Sequence, residues 1–93
     1  MAFGVSYIDY RFKGGVDLVD VLERLSDYGD LEAEGPTGVR FEPDSEDWPV
    51  TYFRGDGSIH VLTRGLDLGD VVAYVHALSR VVGADIVEES RTH

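Results

Sequence analysis

Two amphipathic segments with the same opening residues constrain what this chain can fold into. Residues 17–21 (DLVDV) and 67–71 (DLGDV) each place one Asp where it can cap a helix and a second Asp in the first turn, near the positive end of the helix dipole. Gly29 and Gly83 are suitable helix stops. The sequence therefore predicts two helices, and the short shared opening reflects capping chemistry rather than a duplicated domain. Residues at helical spacing form their inner faces: Leu18, Val21, Leu22, Leu25 and Tyr28 in the first, and Leu68, Val71, Val72, Val75, Leu78, Ser79 and Val82 in the second.

Strand-like segments fill the rest of the chain. Residues 3–12 combine β-branched and aromatic residues and are followed by Gly14-Gly15. The sequence Gly55-Asp56-Gly57 predicts a tight hairpin turn. Residues 84–93 are mostly polar and are expected to form a C-terminal tail, from which Ile86-Val87 could pack back on the domain. Four further strand candidates lie between the helices: residues 30–34, which are the weakest, 37–42, 48–54 and 58–64.

The element order β-α-β-β-β-β-α predicts one α+β domain over residues 1–93. The successive strands are joined by short turns, so we expect an antiparallel sheet of about five strands with both helices packed on one face. The other face, called the open face below, is then left without helices.

Composition excludes several classes of protein. The chain of 93 residues has no cysteine, and therefore no disulfide framework and no thiolate metal site. Its apolar fraction of 43% argues against disorder. The N-terminal residues lack the pattern of a signal peptide, and no apolar run approaches the roughly 18 residues needed to span a membrane. We expect a cytoplasmic protein.

The charge of the chain is strongly negative. It has 18 Asp and Glu against 8 Lys and Arg, with a formal net charge of -10, and Lys13 is its one lysine. Acidity is spread along the whole length, whereas an interaction tail would concentrate it in a block. Self-repulsion of this size is screened at about 1 M salt, where the Debye length is roughly 3 Å. The composition therefore favours adaptation to a cytoplasm of molar salt, with an acidic protein that contacts a basic partner as the alternative.

Two resemblances accompany these patterns. The stretch YRFKGG at residues 10–15 is similar to the start of small uncharacterised archaeal proteins, and the acidic composition resembles that of haloarchaeal proteins. Residues 38–41 (GVRF), 50–53 (VTYF) and 57–61 (GSIHV), with the element order, resemble one repeat of the TATA-binding protein fold. That resemblance implies a nucleic-acid-associated module. However, the family uses two fused repeats, paired Phe wedges and basic flanks, and this chain has room for one repeat.

Alternation along the strands predicts which residues lie on the open face. On residues 58–64, Ile59 and Val61 are expected in the core. The first strand stays ambiguous, because both of its faces carry apolar residues. On the intervening strands we expect Val39, Phe41, Val50 and Tyr52 in the core, with Arg40, Thr51 and Phe53 open. The predicted interface is therefore Arg40, Phe53, His60, Leu62 and Arg64.

An apolar patch on such a face predicts that something covers it. The favoured hypothesis is a non-enzymatic module that forms a homodimer or docks a protein partner there. A mixed, solvated face is the simpler alternative. A single-stranded nucleic-acid platform would pair aromatic with basic residues. It is not favoured, because the net charge of the protein opposes phosphate binding.

No catalytic residue, cofactor or metal site is predicted. No nucleophile lies in a recognisable motif, and His60, His76 and His93 are not spaced as metal ligands. The acidic loop at residues 42–47 lacks the ligand spacing of a calcium loop and is expected to be solvated. An enzyme would require a deep pocket that gathers His60 with two or more carboxylates. Trp48, which precedes Pro49, is expected to pack in the core, with an exposed interface anchor as the alternative.

Overall fold

A computed structural model describes residues 7–14, 17–63 and 65–92, the last four of them as backbone only. The predicted strand start at residues 3–6 and Arg64 lie outside the described residues. The elements, in chain order, are β1 (Tyr7–Phe12), α1 (Leu18–Leu25), β2 (Gly29–Ala33), β3 (Gly38–Pro43), β4 (Thr51–Arg54), β5 (Ser58–Leu62), α2 (Leu68–Val82) and β6 (Ile86–Thr92).

The strands form one six-stranded antiparallel sheet in the order β2-β3-β4-β5-β1-β6. The α+β class and the antiparallel sheet with two helices are as the sequence predicts. The sheet has one strand more than expected, because residues 86–92 pair with β1 although they were predicted to be a tail. Ile86 lies opposite Phe12 and packs against the core, and backbone hydrogen bonds hold an edge strand whose other residues are mostly polar.

The core lies between one face of the sheet and both helices. Ile8, Tyr10 and Phe12 are buried, which settles the face of β1 that the sequence left ambiguous. The helices contribute Val21 and Leu25 from α1, and Val71, Tyr74, Val75, Leu78 and Val82 from α2. Because these helix and strand residues form a single cluster, both helices cover the same face and the other face stays open.

The first helix is shorter than its apolar spacing predicts. Asp17 caps it, accepting a hydrogen bond from Val19 N at 3.0 Å, but the helix ends at Leu25. Gly29 was predicted to stop the helix and instead begins β2. A Cβ at this position would collide with the carbonyl oxygen of Glu42 on the neighbouring strand. Close strand pairing, rather than helix termination, therefore requires glycine there.

The second helix ends where it was predicted to end, but its N-cap and its buried face differ from the prediction. Gly83 ends it in the left-handed region, at φ 70°, and donates its N–H to Ser79 O. Asp67 occupies the N-cap position but makes no side-chain capping bond. Tyr74, absent from the predicted apolar face, is 1% exposed, whereas Leu68 and Val72 of that face are exposed.

Candidate functional site on the open face of the sheet

The strand register places a row of polar and aromatic side chains across the centre of the open face. Arg40 pairs with Tyr52, Tyr52 with His60, and His60 with Asp9, so these residues of β3, β4, β5 and β1 lie side by side. None of the four is fully buried. The row exists because each strand alternates a core residue with one that points away from the helices.

His60 and Asp9 form the closest polar contact of this row. Nδ1 of His60 lies 2.6 Å from Oδ1 of Asp9, and both side chains are half-buried. An ionised carboxylate only accepts hydrogen bonds, so the imidazole proton on Nδ1 is donated to Asp9. This contact fixes the ring and leaves Nε2 as its second polar atom. In a neutral imidazole, Nε2 can accept a hydrogen bond or take a proton.

Arg40 is held by two neighbours. Its Nη1 donates to Oε2 of Glu42 at 3.2 Å. A hydrogen bond with the Tyr52 hydroxyl, followed by the charge of Glu42, raises the pKa of the guanidinium above its ordinary value. The guanidinium of Arg40 therefore lies between the Glu42 carboxylate and the Tyr52 hydroxyl.

Two tyrosines contact each other across β5. The ring centroids of Tyr7 and Tyr52 are 6.4 Å apart, with the rings tilted by 57°. Together with Asp9, His60, Arg54 and Glu34 they line an open depression of about 460 Å³. It gathers His60 with two carboxylates, as an enzyme would require, but it is open rather than deep.

The hairpin between β4 and β5 forms one end of this face. Arg54 and Ser58 flank its turn, and Ser58 pairs with Arg11 of β1. The Ser58 hydroxyl and backbone N–H donate to Oδ1 of Asp56, at 2.6 and 2.9 Å, and hold the pKa of the Asp56 carboxyl below its ordinary value. Nη1 of Arg11 donates to the backbone oxygen of Asp56 at 3.0 Å, so the turn is tied to β1.

Charge is unevenly distributed over the molecule. Of the six basic side chains that the structure describes, Arg11, Arg40 and Arg54 lie on the open face. The other three, Lys13, Arg24 and Arg80, lie on a turn and the two helices. Acidic residues of β2, which pair with Arg40 and Glu42, occupy one edge of the face. Each of the three arginines has a carboxylate nearby: Glu42 lies beside Arg40, and Asp56 lies near both Arg11 and Arg54.

The predicted interface residues are only partly brought together. Arg40 and His60 share the central row. Leu62 belongs to the same face by alternation but is 7% exposed. Arg64 lies outside the described residues. The prediction for Phe53 is wrong, because it is 0% exposed and its ring contacts Phe12 and Phe41 in the core.

The face assignment of β4 was inverted. Phe41 pairs with Thr51 and Val39 with Phe53, which puts Thr51 and Phe53 on the core side and Tyr52 on the open side. The hairpin carried a usable signal. Phe53 lies opposite Ile59, and paired residues of antiparallel strands share a face. The contact between Asp9 and His60 left no such signal, because β1 and β5 are adjacent in the sheet but far apart in the sequence.

Trp48 packs against the core, as predicted. Its ring lies between those of Tyr28 and Tyr74, at centroid distances of 5.9 and 5.3 Å. Within the described residues, no group of three or more His, Asp or Glu side chains is arranged to hold a metal ion. In that part of the chain, no helix has the length and hydropathy to cross a membrane.

Comparisons with family models, curated proteins and solved structures give no match to this chain. The resemblances to archaeal proteins and to a TATA-binding protein repeat therefore stay predictions. The case for a function rests on the geometry of the open face.

Proposed function

We propose that this protein is a non-enzymatic binding module of a high-salt cytoplasm, and that the open face is its binding surface. The observation that carries the proposal is the row of Arg40, Tyr52, His60 and Asp9 on the face that the helices leave uncovered. The row contains two interacting pairs, Arg40 with Tyr52 and His60 with Asp9, and all four side chains are partly exposed to a partner. The depression is open to solvent, which fits binding better than a reaction that requires a closed site from which water is expelled.

Self-association or docking of a protein partner is the first form of this function. Tyr and Arg are enriched among the residues that dominate binding energy at protein interfaces. The apolar surface available for self-association or for a protein partner is smaller than the sequence predicts, because Phe53 and Leu62 are both buried. Tyr7, Tyr52 and the arginines would supply the contacts instead.

Sedimentation equilibrium in about 2 M KCl tests self-association under screened conditions. We expect a concentration-dependent dimer for the wild type and a monomer for Tyr52→Ala. Val19→Ala, which truncates an exposed residue of α1, is the matched control and should leave the dimer intact. A monomer for the wild type at high concentration would exclude self-association.

A nucleic-acid partner is the second candidate, favoured by a specific observation. Two tyrosines in contact and three arginines share the open face of an acidic protein. Binding of labelled DNA in molar KCl that is lost in an Arg40→Ala/Tyr52→Ala variant would support this candidate.

A further inference from the structure

We infer that the depression on the open face binds an organic cation, with the charged nitrogen against the rings of Tyr7 and Tyr52. The ligand class is an ammonium group carrying alkyl substituents, from a free small molecule or from a lysine side chain of a partner. This inference rests on the proposed function, because it requires the open face to be the binding surface. Its structural basis is a pair of aromatic rings and a pair of carboxylates that line the same depression.

The two tyrosine rings line the depression together. Tyr7 on β1 and Tyr52 on β4 lie on either side of β5, and neither ring is buried in the core. Their centroids are 6.4 Å apart and the rings are tilted by 57°, so they do not cover each other's faces as a parallel stack would. A cation is attracted to an aromatic ring when it lies within about 6 Å of the centroid. One ammonium group can therefore be within reach of both rings.

The charged groups that line the depression favour a cation. Asp9 and Glu34 contribute two carboxylates, and Arg54 contributes one guanidinium. Nδ1 of His60 bonds to Oδ1 of Asp9, but a carboxylate has a second oxygen and further acceptor sites. When the imidazole is neutral, the lining therefore carries one excess negative charge.

The surrounding face has the same bias. Strand pairing and alternation place five acidic side chains and three arginines on this face or at its rim: Asp9, Asp30, Glu32, Glu34 and Glu42, with Arg11, Arg40 and Arg54. The arginines are themselves offset, because Arg40 is paired with Glu42 and the other two lie near the Asp56 carboxylate. The excess of carboxylates selects a cation over the phosphates of a nucleic acid.

The openness of the depression sets the expected affinity. Its volume of about 460 Å³ accepts a small quaternary ammonium and also an ammonium at the end of a longer chain. Cation–π contacts at exposed sites are weaker than those in closed, desolvated cages. We therefore expect a Kd on the order of 1 mM for a small quaternary ammonium.

The experiment titrates the protein with choline and with its neutral carbon analogue, in which a tert-butyl group replaces the trimethylammonium group. Backbone amide chemical shifts of β1, β4 and β5 report binding. Titrations are run at about pH 8, above the range in which imidazole ordinarily ionises, and at the lowest KCl concentration that keeps each protein folded. We expect the neutral analogue to bind at least about tenfold more weakly than choline, because it lacks the charge that attracts both the rings and the carboxylates. Nα-acetyl-lysine amide forms a second arm and represents a partner's side chain.

Two charge variants on the lining give opposite expectations. Glu34→Gln should weaken choline binding about twofold, and Arg54→Gln should strengthen it by a similar factor. An anionic ligand would reverse both signs. Glu34 and Arg54 are exposed, so these variants stay informative if a tyrosine variant does not fold.

The ring variants test the aromatic contact. Tyr52→Leu should weaken choline binding about threefold to fivefold, the effect of one exposed cation–π contact. Tyr52→Phe retains the ring and should keep the affinity. Val19→Ala on α1 is the control and should change nothing, because Val19 is exposed on the opposite side of the sheet.

Binding of either ammonium compound with these variant effects supports the inference, and the tighter of the two identifies the source of the cation. Equal binding of choline and its neutral analogue, or unchanged affinity in Tyr52→Leu, would contradict it. Failure of both ammonium compounds to bind a protein whose dimer depends on Tyr52 would overturn the inference and leave the proposed function standing. Absence of cation binding, dimerisation and DNA binding together would overturn both.

Discussion

The hydroxyl groups of Thr51 and Tyr74 lie 2.6 Å apart inside the core. Thr51 donates its own proton to the backbone oxygen of Pro49 at 3.1 Å, so Tyr74 is the donor to Thr51. Burial raises the pKa of the Tyr74 phenol far above its ordinary value, and the bond with Thr51 opposes that shift only partly. Single polar contacts of this kind decide which strand residue can be buried without penalty.

We expect Tyr74→Phe to lower the free energy of unfolding by about 1–2 kcal/mol, because a buried hydrogen bond is lost. Thr51→Val should cost a similar amount. The double variant should cost less than the sum, since one contact is removed by both changes. Urea unfolding of the four proteins measures this cycle. Tyr28→Phe, which alters an exposed member of the same aromatic cluster, is the control and should be nearly neutral. Additive losses would show that the hydroxyl contact contributes nothing.

Among the elements, β2 depends on close approach to β3. Its first residue, Gly29, pairs with Pro43, and an added Cβ would also lie 2.6 Å from Pro43 Cα. Backbone atoms of a paired strand cannot move away as a flexible side chain can. The position of β2 at the sheet edge therefore depends on a glycine that the sequence pattern assigned to the end of a helix.

Gly29→Ala should destabilise the protein by about 1–3 kcal/mol, in the range of other overpacking changes. Gly69→Ala is the matched control. It lies in the first turn of α2, where a Cβ meets nothing within 4 Å, and alanine should stabilise the helix by at most about 1 kcal/mol. Thermal unfolding of both variants gives the comparison. A Gly29→Ala protein as stable as the wild type would mean that β2 and β3 are not paired in this register.

For the molecule as a whole, the net charge of -10 is the property through which salt acts most directly on stability. The acidic residues Asp30 and Glu32 of β2, beside Glu42 of β3, add local repulsion at one edge of the sheet. We expect the melting temperature to rise as KCl is raised to about 2 M, because the screening length falls to a few ångströms.

Salt also strengthens the hydrophobic effect, which raises the melting temperature independently of charge screening. A variant with fewer negative charges is therefore needed as a control. Replacing exposed acids with amides, as Asp27→Asn, Asp30→Asn and Glu32→Gln, should reduce the dependence of the melting temperature on KCl. Differential scanning calorimetry over the KCl series measures both proteins. Identical salt dependence in the two would show that charge repulsion is not the cause.

The sequence by itself determined the class of the fold and seven of its eight elements, although not the end of the first helix. Helix caps, Gly and Pro positions and local periodicity depend on neighbouring residues, so Asp17, Gly83 and the hairpin at residues 55–57 could be interpreted directly. The strand at residues 86–92 was missed because only Ile86 and Val87 are apolar, and the rest of the strand is held by backbone bonds to β1 that carry no local side-chain signature.

Only the tertiary structure decided which residues form the site. Tyr52 and Phe53 are both aromatic and adjacent, and a shift of one residue in register exchanges the face on which each lies. The pairing of β4 with β3 and β5 places Phe53 in the core and Tyr52 beside His60. Asp9 reaches His60 because β1 inserts next to β5 in the sheet. Such contacts join residues far apart in the chain, and the alternation within any single strand does not specify them.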